Sequence, residues 1–146
     1  INLFNGDVPK VAYEKMKDTV LKYYFKEPYI EELGHFSRIL ASDISKLPVD
    51  SIKSSGYVVD SLEACLWCFL NNDSYRDTVI TAVNLGGDTD TIGALAGGLA
   101  GIYYGYEGIP KEWIENIAKV DEIVRLGERL YEAIYGMETR YDIILL

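Results

Sequence analysis

Two carboxylates and two hydroxyls fall within four consecutive residues, Asp88-Thr89-Asp90-Thr91, immediately after the glycine pair Gly86-Gly87. Turned to one side, the oxygens of Asp88, Asp90 and Thr91 form a hard donor set that suits Mg²⁺, which takes about six oxygen ligands, several of them waters. A plainer reading of the same residues is a helix start with more capping groups than it needs. Asp88 is a natural N-cap, because its carboxylate can accept a bond from an amide two or three residues on. Asp90 then sits in the first turn, where the helix dipole favours negative charge. Capping accounts for one acid and does not require the full Asp-Thr-Asp-Thr pattern.

Two elements must position these groups. Gly86 and Gly87 allow a sharp turn, with positive φ if required, that other residues resist. Beyond them the chain is apolar and small, and Gly93, Gly97, Gly101 and Gly105 recur at every fourth residue, along one helix edge. Each glycine in a helix interior costs about 1 kcal/mol relative to alanine. Such a stripe is expected where a neighbouring helix brings its backbone close. The stretch reads as a buried central helix whose acidic N-terminus is held rigidly.

The run from Asn84 to Gly105, with Ile109-Pro110 and Trp113 after it, resembles the C-terminal signature of the ADP-ribosylglycohydrolase family. Gly56-Tyr57-Val58-Val59-Asp60-Ser61-Leu62-Glu63-Ala64, followed by Leu66-Trp67, resembles the preceding helix of that family. The likeness covers most of residues 55–135. It implies an all-α hydrolase that removes ADP-ribose from a modified protein side chain or a small conjugate, typically with two Mg²⁺ ions. Asp88, Asp90 and Thr91 match the family's C-terminal metal ligands, and Asp88 and Asp90 are the implied catalytic residues. The Ser-Gly-Tyr segment lies near the ligand cleft in the family, so Tyr57 is either a ring that stacks on base or ribose or a packed aromatic at a helix start. Gly86 and Gly87 are the backbone positions expected beside the bound ligand. The resemblance is to the C-terminal half only. The family's N-terminal Thr-Asp-Asp-Thr motif does not occur, and Asn5-Gly6-Asp7 does not stand in for its earlier segment.

That half-match leaves three functional readings. The chain is part of an ADP-ribosylglycohydrolase completed by another segment or chain or by self-association, a relative that binds ADP-ribose or metal without turnover, or a structural domain whose acids only cap a helix. A half of the fold would also expose an association-prone apolar surface. The chain opens on Ile1 rather than Met, which is expected of a fragment, a processed chain or part of a longer protein.

The 146 residues are 49% hydrophobic, enough for a single domain or half-domain over 1–146 with a real core. The net charge of −9, from 23 acids against 14 bases, argues against binding a nucleic-acid backbone. The acid excess is matched in part by divalent cations or simply keeps the surface soluble. Mean hydropathy is near zero and no apolar run is long enough to cross a bilayer. No basic-then-apolar leader is visible, so a cytoplasmic location is expected. Cys65 and Cys68 have Cys-x-x-Cys spacing but lie in an apolar helical run, and His35 is the only histidine. A four-ligand zinc site is not available, and buried free thiols are the better reading.

Helical spacing predicts further helices over 9–26, 29–44, 57–70, 75–85, 111–118 and 121–135. The last is amphipathic, with Ile123, Leu126, Leu130 and Ile134 on one face, Gly136 as its stop and 141–146 as an extended apolar tail. Ser54-Ser55-Gly56 is a turn, and Asp73 or Ser74 caps the helix from Tyr75. The expected architecture is all-α, with about seven helices and short connections.

Overall fold

The computed structural model describes the backbone of residues 1–144 and the side chains of residues 1–135. Seven α-helices follow in chain order: α1 Pro9–Tyr24, α2 Ser37–Ala41, α3 Val58–Leu70, α4 Tyr75–Asn84, α5 Thr89–Tyr104, α6 Lys111–Asn116 and α7 Val120–Ile144. Short 3-10 turns at Ile30–Phe36, Ile44–Lys46, Val49–Ser51 and Tyr106–Gly108 link them, and no strand occurs among the described residues. The all-α expectation holds. The chain divides into two compact units, Ile1–Ile109 and Pro110–Leu146.

In the first unit, α4 and α5 form an antiparallel hairpin, and α3 packs against both. Ile92, Ala96 and Ala100, four residues apart, are fully buried on one edge of α5. Ile92 and Ala96 meet Ala64, Cys65 and Cys68 of α3 and Ala82 of α4 in one core. Small residues at these positions let the three helices lie close, and the apolar character of α3 on most sides marks it as central. A second core joins Tyr13 of α1 to Ile39 and Ile44. Burying side chains such as Ile44 and Ile92 contributes roughly 1.5–3 kcal/mol each.

The glycine stripe differs from expectation in its partner. Cβ atoms added at Gly93, Gly97 and Gly101 would meet Val83 Cγ2 at 3.3 Å, Tyr75 Oη at 3.2 Å and Tyr75 Cε2 at 3.8 Å. The groove is therefore filled by side chains of α4 rather than by its backbone. Gly105 is outside the helix; it forms the C-cap of α5 with φ +71°.

Caps fix the hairpin. The Ser74 hydroxyl accepts the Asp77 amide at 3.0 Å and donates to the Asp77 carboxylate at 2.8 Å, so Ser74 starts α4. The buried Thr78 hydroxyl donates to the Ser74 carbonyl at 2.8 Å. The Trp67 indole N–H donates to the Leu47 carbonyl at 2.9 Å, fastening α3 to the preceding segment.

Residues 29–44 are not one α-helix. A 3-10 turn over Ile30–Phe36 precedes the short α2. Gly34, at the centre of the segment, lowers α propensity, and short 3-10 runs serve as connectors. Cys65 and Cys68 are buried free thiols, as expected. His35 is exposed, with Glu32 3.8 Å away.

In the second unit, α7 runs past Gly136 to Ile144, so residues 141–144 are helical rather than extended. One interior glycine costs only about 1 kcal/mol, too little to stop a helix continued by good helix formers. The rest of the expected tail, 145–146, lies outside the described residues. Ile123, Leu126, Leu130 and Ile134 are exposed, so their stripe is not covered by α6.

Candidate functional site

The turn between α4 and α5 is built as its glycines suggest. Gly86 and Gly87 have φ of +79° and +63°, both in the left-handed region. A Cβ at Gly86 would meet nothing within 4 Å, whereas one at Gly87 would overlap the Ser54 carbonyl oxygen. Gly87 is thus needed for conformation and for space.

This close approach brings two loops together. The Asp88 amide donates to the Ser54 carbonyl at 2.8 Å, and the Ser54 hydroxyl donates to the Leu85 carbonyl at 3.3 Å. The 54–57 loop is in turn tied to α3. The Ser55 hydroxyl donates to the Asp60 carboxylate at 2.6 Å and accepts the Tyr57 amide at 3.1 Å. The Ser61 hydroxyl donates to the Ser55 carbonyl at 3.0 Å. Ser54, Ser55 and Asp60 were not candidates from sequence. The available signal was a Ser-Ser pair just before a helix with an acid in its first turn, a pattern that offers local side-chain-to-backbone bonds.

Asp88 occupies the N-cap position of α5, but its side chain makes no capping hydrogen bond. This corrects the sequence expectation. The N-cap backbone is anchored to Ser54, and the carboxylate instead faces Gly56, where an added Cβ would lie 2.9 Å from Asp88 Oδ2. Asp90 and Thr91, in the first turn, are exposed. The neighbouring Asp88 side chain holds the Asp90 carboxyl below the ordinary carboxylate range, with help from the amides of Thr91 and of Asp90 itself. Two adjacent carboxylates at a helix N-terminus repel each other unless a proton or a cation is shared between them.

Asp88, Asp90 and Thr91 therefore share the start of α5, directly after the turn made by Gly86 and Gly87. Tyr57 lies on the facing loop, one residue past Gly56, with its ring exposed. Two carboxylates and a hydroxyl are oxygen donors of the type a hard divalent cation takes. Among the described residues, no group of three or more His, Cys, Asp or Glu is placed to hold a metal. The donor set fits Mg²⁺ in type and is partial in number.

The family model for ADP-ribosylglycohydrolase matches residues 2–140. The chain belongs to the ADP-ribosylglycohydrolase family. Among its relatives, it is 41% identical over 93 residues to the ADP-ribosylarginine hydrolase Tri1 of Serratia proteamaculans, covering 64% of this chain and 25% of that protein. It is 38% identical over 87 residues to the ADP-ribosyl-[dinitrogen reductase] glycohydrolase of Rhodospirillum rubrum, covering 59% and 30%. It is 31% identical over 119 residues to the ADP-ribosylhydrolase ARH3 of Mus musculus, covering 73% and 32%. This family member thus spans about a quarter to a third of the length of the curated relatives it matches. No helix among its described residues is long and apolar enough to cross a membrane.

Proposed function

We propose that this chain carries the C-terminal cation-binding part of a site that hydrolyses ADP-ribose from a modified protein side chain or a small conjugate. The supporting observation is that Asp88, at the start of α5 with Asp90, is anchored by its amide to the Ser54 carbonyl at 2.8 Å while its carboxylate makes no capping bond and faces the loop that carries Gly56 and Tyr57. In this reading Asp88, Asp90 and Thr91 would hold Mg²⁺. When bound, Mg²⁺ polarises ribose hydroxyls and orients a water. The fixed negative oxygens of Asp88 and Asp90 oppose the positive charge that develops at ribose C1′. The water oxygen bonds to C1′ as the linkage breaks; a carboxylate accepts the water proton and the departing group takes one up. Gly86, with open space where a Cβ would be, leaves the backbone accessible to the ligand, Gly87 lets the Ser54 loop close against the turn, and the exposed Tyr57 ring stacks on base or ribose.

The relatives named above are hydrolases of ADP-ribose linkages, which supports the reaction class for this chain. Two carboxylates do not complete a Mg²⁺ site, so the remaining donors come from water and from another segment, a complementary polypeptide or a second copy. The partial donor set also favours a second reading, in which the chain binds ADP-ribose or metal without turnover. The buried free thiols fit a reducing, cytoplasmic setting.

Calorimetric titration of the chain with Mg²⁺, alone and with ADP-ribose, tests the proposal. Saturable Mg²⁺-dependent binding is expected, lost in Asp90→Asn and Asp88→Asn. Absence of binding at millimolar Mg²⁺ with ADP-ribose present, or binding unchanged in both variants, would overturn it. Release of free ADP-ribose from an ADP-ribosylated peptide separates turnover from binding alone.

A further inference from the structure

Asp88 is fixed at its main chain and free at its side chain. Its amide is bound to the Ser54 carbonyl at 2.8 Å, and its carboxylate makes no capping bond. The direction of the carboxylate is therefore set by what surrounds it. One side is Gly56, where an added Cβ would stand 2.9 Å from Asp88 Oδ2 and 3.9 Å from the carboxyl carbon, with no other atom within 4 Å. Gly56 is not among the positive-φ glycines, so its backbone conformation does not call for glycine. What it supplies is space.

We propose that Gly56 is a positioning residue, whose missing side chain leaves the room in which the Asp88 carboxylate lies, the direction it would need to share a divalent cation with Asp90. The affinity part of this proposal rests on the cation reading of Asp88 and Asp90; the geometric part does not. The loop that carries Gly56 is rigid enough for the task. Ser55 is bonded to Asp60 at 2.6 Å, and Ser61 to the Ser55 carbonyl at 3.0 Å, so α3 fixes the empty position.

The obstacle to a side chain differs at the two glycines of the site. At Gly87 it is the backbone carbonyl of Ser54, which cannot move without the loop. At Gly56 it is the far end of a short side chain, which can rotate away. A methyl group at 56 therefore turns Asp88 about χ1 while leaving the fold in place. Groups that orient a metal ligand typically change metal affinity about 10- to 100-fold when altered.

The test compares the full chain with Gly56→Ala, using Gly34→Ala as a control, since an added Cβ at Gly34 meets nothing within 4 Å. Three quantities are measured: melting temperature without metal, the Asp88 χ1 rotamer from NMR three-bond couplings, and Mn²⁺ affinity by titration. Gly56→Ala is expected to keep the wild-type melting temperature, change the Asp88 rotamer and bind Mn²⁺ about tenfold more weakly or worse. Gly34→Ala is expected to match the wild type in rotamer and affinity. An unchanged Asp88 rotamer in Gly56→Ala would overturn the proposal, as would wild-type Mn²⁺ affinity. A fall in melting temperature that accounts for the lost binding would also overturn it, by making Gly56 merely structural. If the wild type binds no Mn²⁺ and Asp90→Asn is indistinguishable from it, the cation reading fails instead. The rotamer measurement then still decides whether Gly56 directs Asp88.

Discussion

The Asp88 amide donates to the carbonyl oxygen of Ser54 at 2.8 Å, joining the start of α5 to the loop that precedes α3. Ser54 and Asp88 are far apart in sequence, and this bond places the acidic helix start beside the Ser-Gly-Tyr segment. The contact depends on Gly87, the residue just before Asp88, because any Cβ there would enter the space of the Ser54 carbonyl.

Substitution of the two turn glycines should separate strain from collision. Gly86→Ala is expected to cost about 1 kcal/mol, from placing alanine at positive φ with open space around it. Gly87→Ala meets the same strain and also the Ser54 carbonyl, so its cost should exceed that of Gly86→Ala by about 1–3 kcal/mol. Urea unfolding of the two variants measures the difference. Equal costs would mean that the Ser54–Asp88 contact is not tight in solution.

Gly97 and Gly98 are neighbours in α5 with opposite surroundings. Gly98 has nothing within 4 Å of an added Cβ, so Gly98→Ala should stabilise by about 0.5–1 kcal/mol through helix propensity. An added Cβ at Gly97 lies 3.2 Å from Tyr75 Oη and 3.5 Å from Val79 Cγ2, in the groove that α4 fills. Gly97→Val should therefore destabilise, by about 1–3 kcal/mol. Thermal unfolding of both variants reads the signs directly.

Glu63 gives the fold a dependence on pH. It is buried on α3, with the Arg38 guanidinium 3.1 Å away. Burial raises its carboxyl above the ordinary value of 4.5, and Arg38 opposes that rise. A carboxyl with a raised folded value contributes most stability when protonated and loses it as pH rises from 4.5 through the folded value. Glu63→Gln should flatten this decline, and Arg38→Met should steepen it. Unfolding free energies measured from roughly pH 4 to pH 7 test both slopes.

Cys65 and Cys68 should be inert in the native chain. Burial pushes each thiol from 9.0 up to about 12. Alkylation by iodoacetamide near neutral pH is expected to follow the unfolding rate rather than the rate of a free thiol. Above pH 9.0 the unfolded chain ionises while the folded one does not, so stability should fall with rising pH. Fast labelling of folded protein would contradict the burial of both sulfurs.

Much of the helical architecture and the acidic turn was legible in the chain because the signals are local. Apolar residues at helical spacing located α1, α3, α4 and α5, and Gly86-Gly87 located the turn with positive φ. Local signals misled where their strength was marginal. Gly34 let residues 30–36 tighten into a 3-10 turn, and Gly136 failed to end α7.

By itself the sequence determined the all-α class, the family resemblance and the clustering of Asp88, Asp90 and Thr91, since these rest on residue types and short spacings. Only the tertiary structure decided what the stripe of Gly93, Gly97 and Gly101 receives, which is the side chains of Val83 and Tyr75 on α4. It also decided that the Asp88 side chain leaves its capping role. That outcome depends on Ser54, which takes the Asp88 amide, and on Gly56, which leaves room for the carboxylate. Both residues are distant in sequence, and no pattern within the Asp-Thr-Asp-Thr run reports on a loop that only folding brings against it.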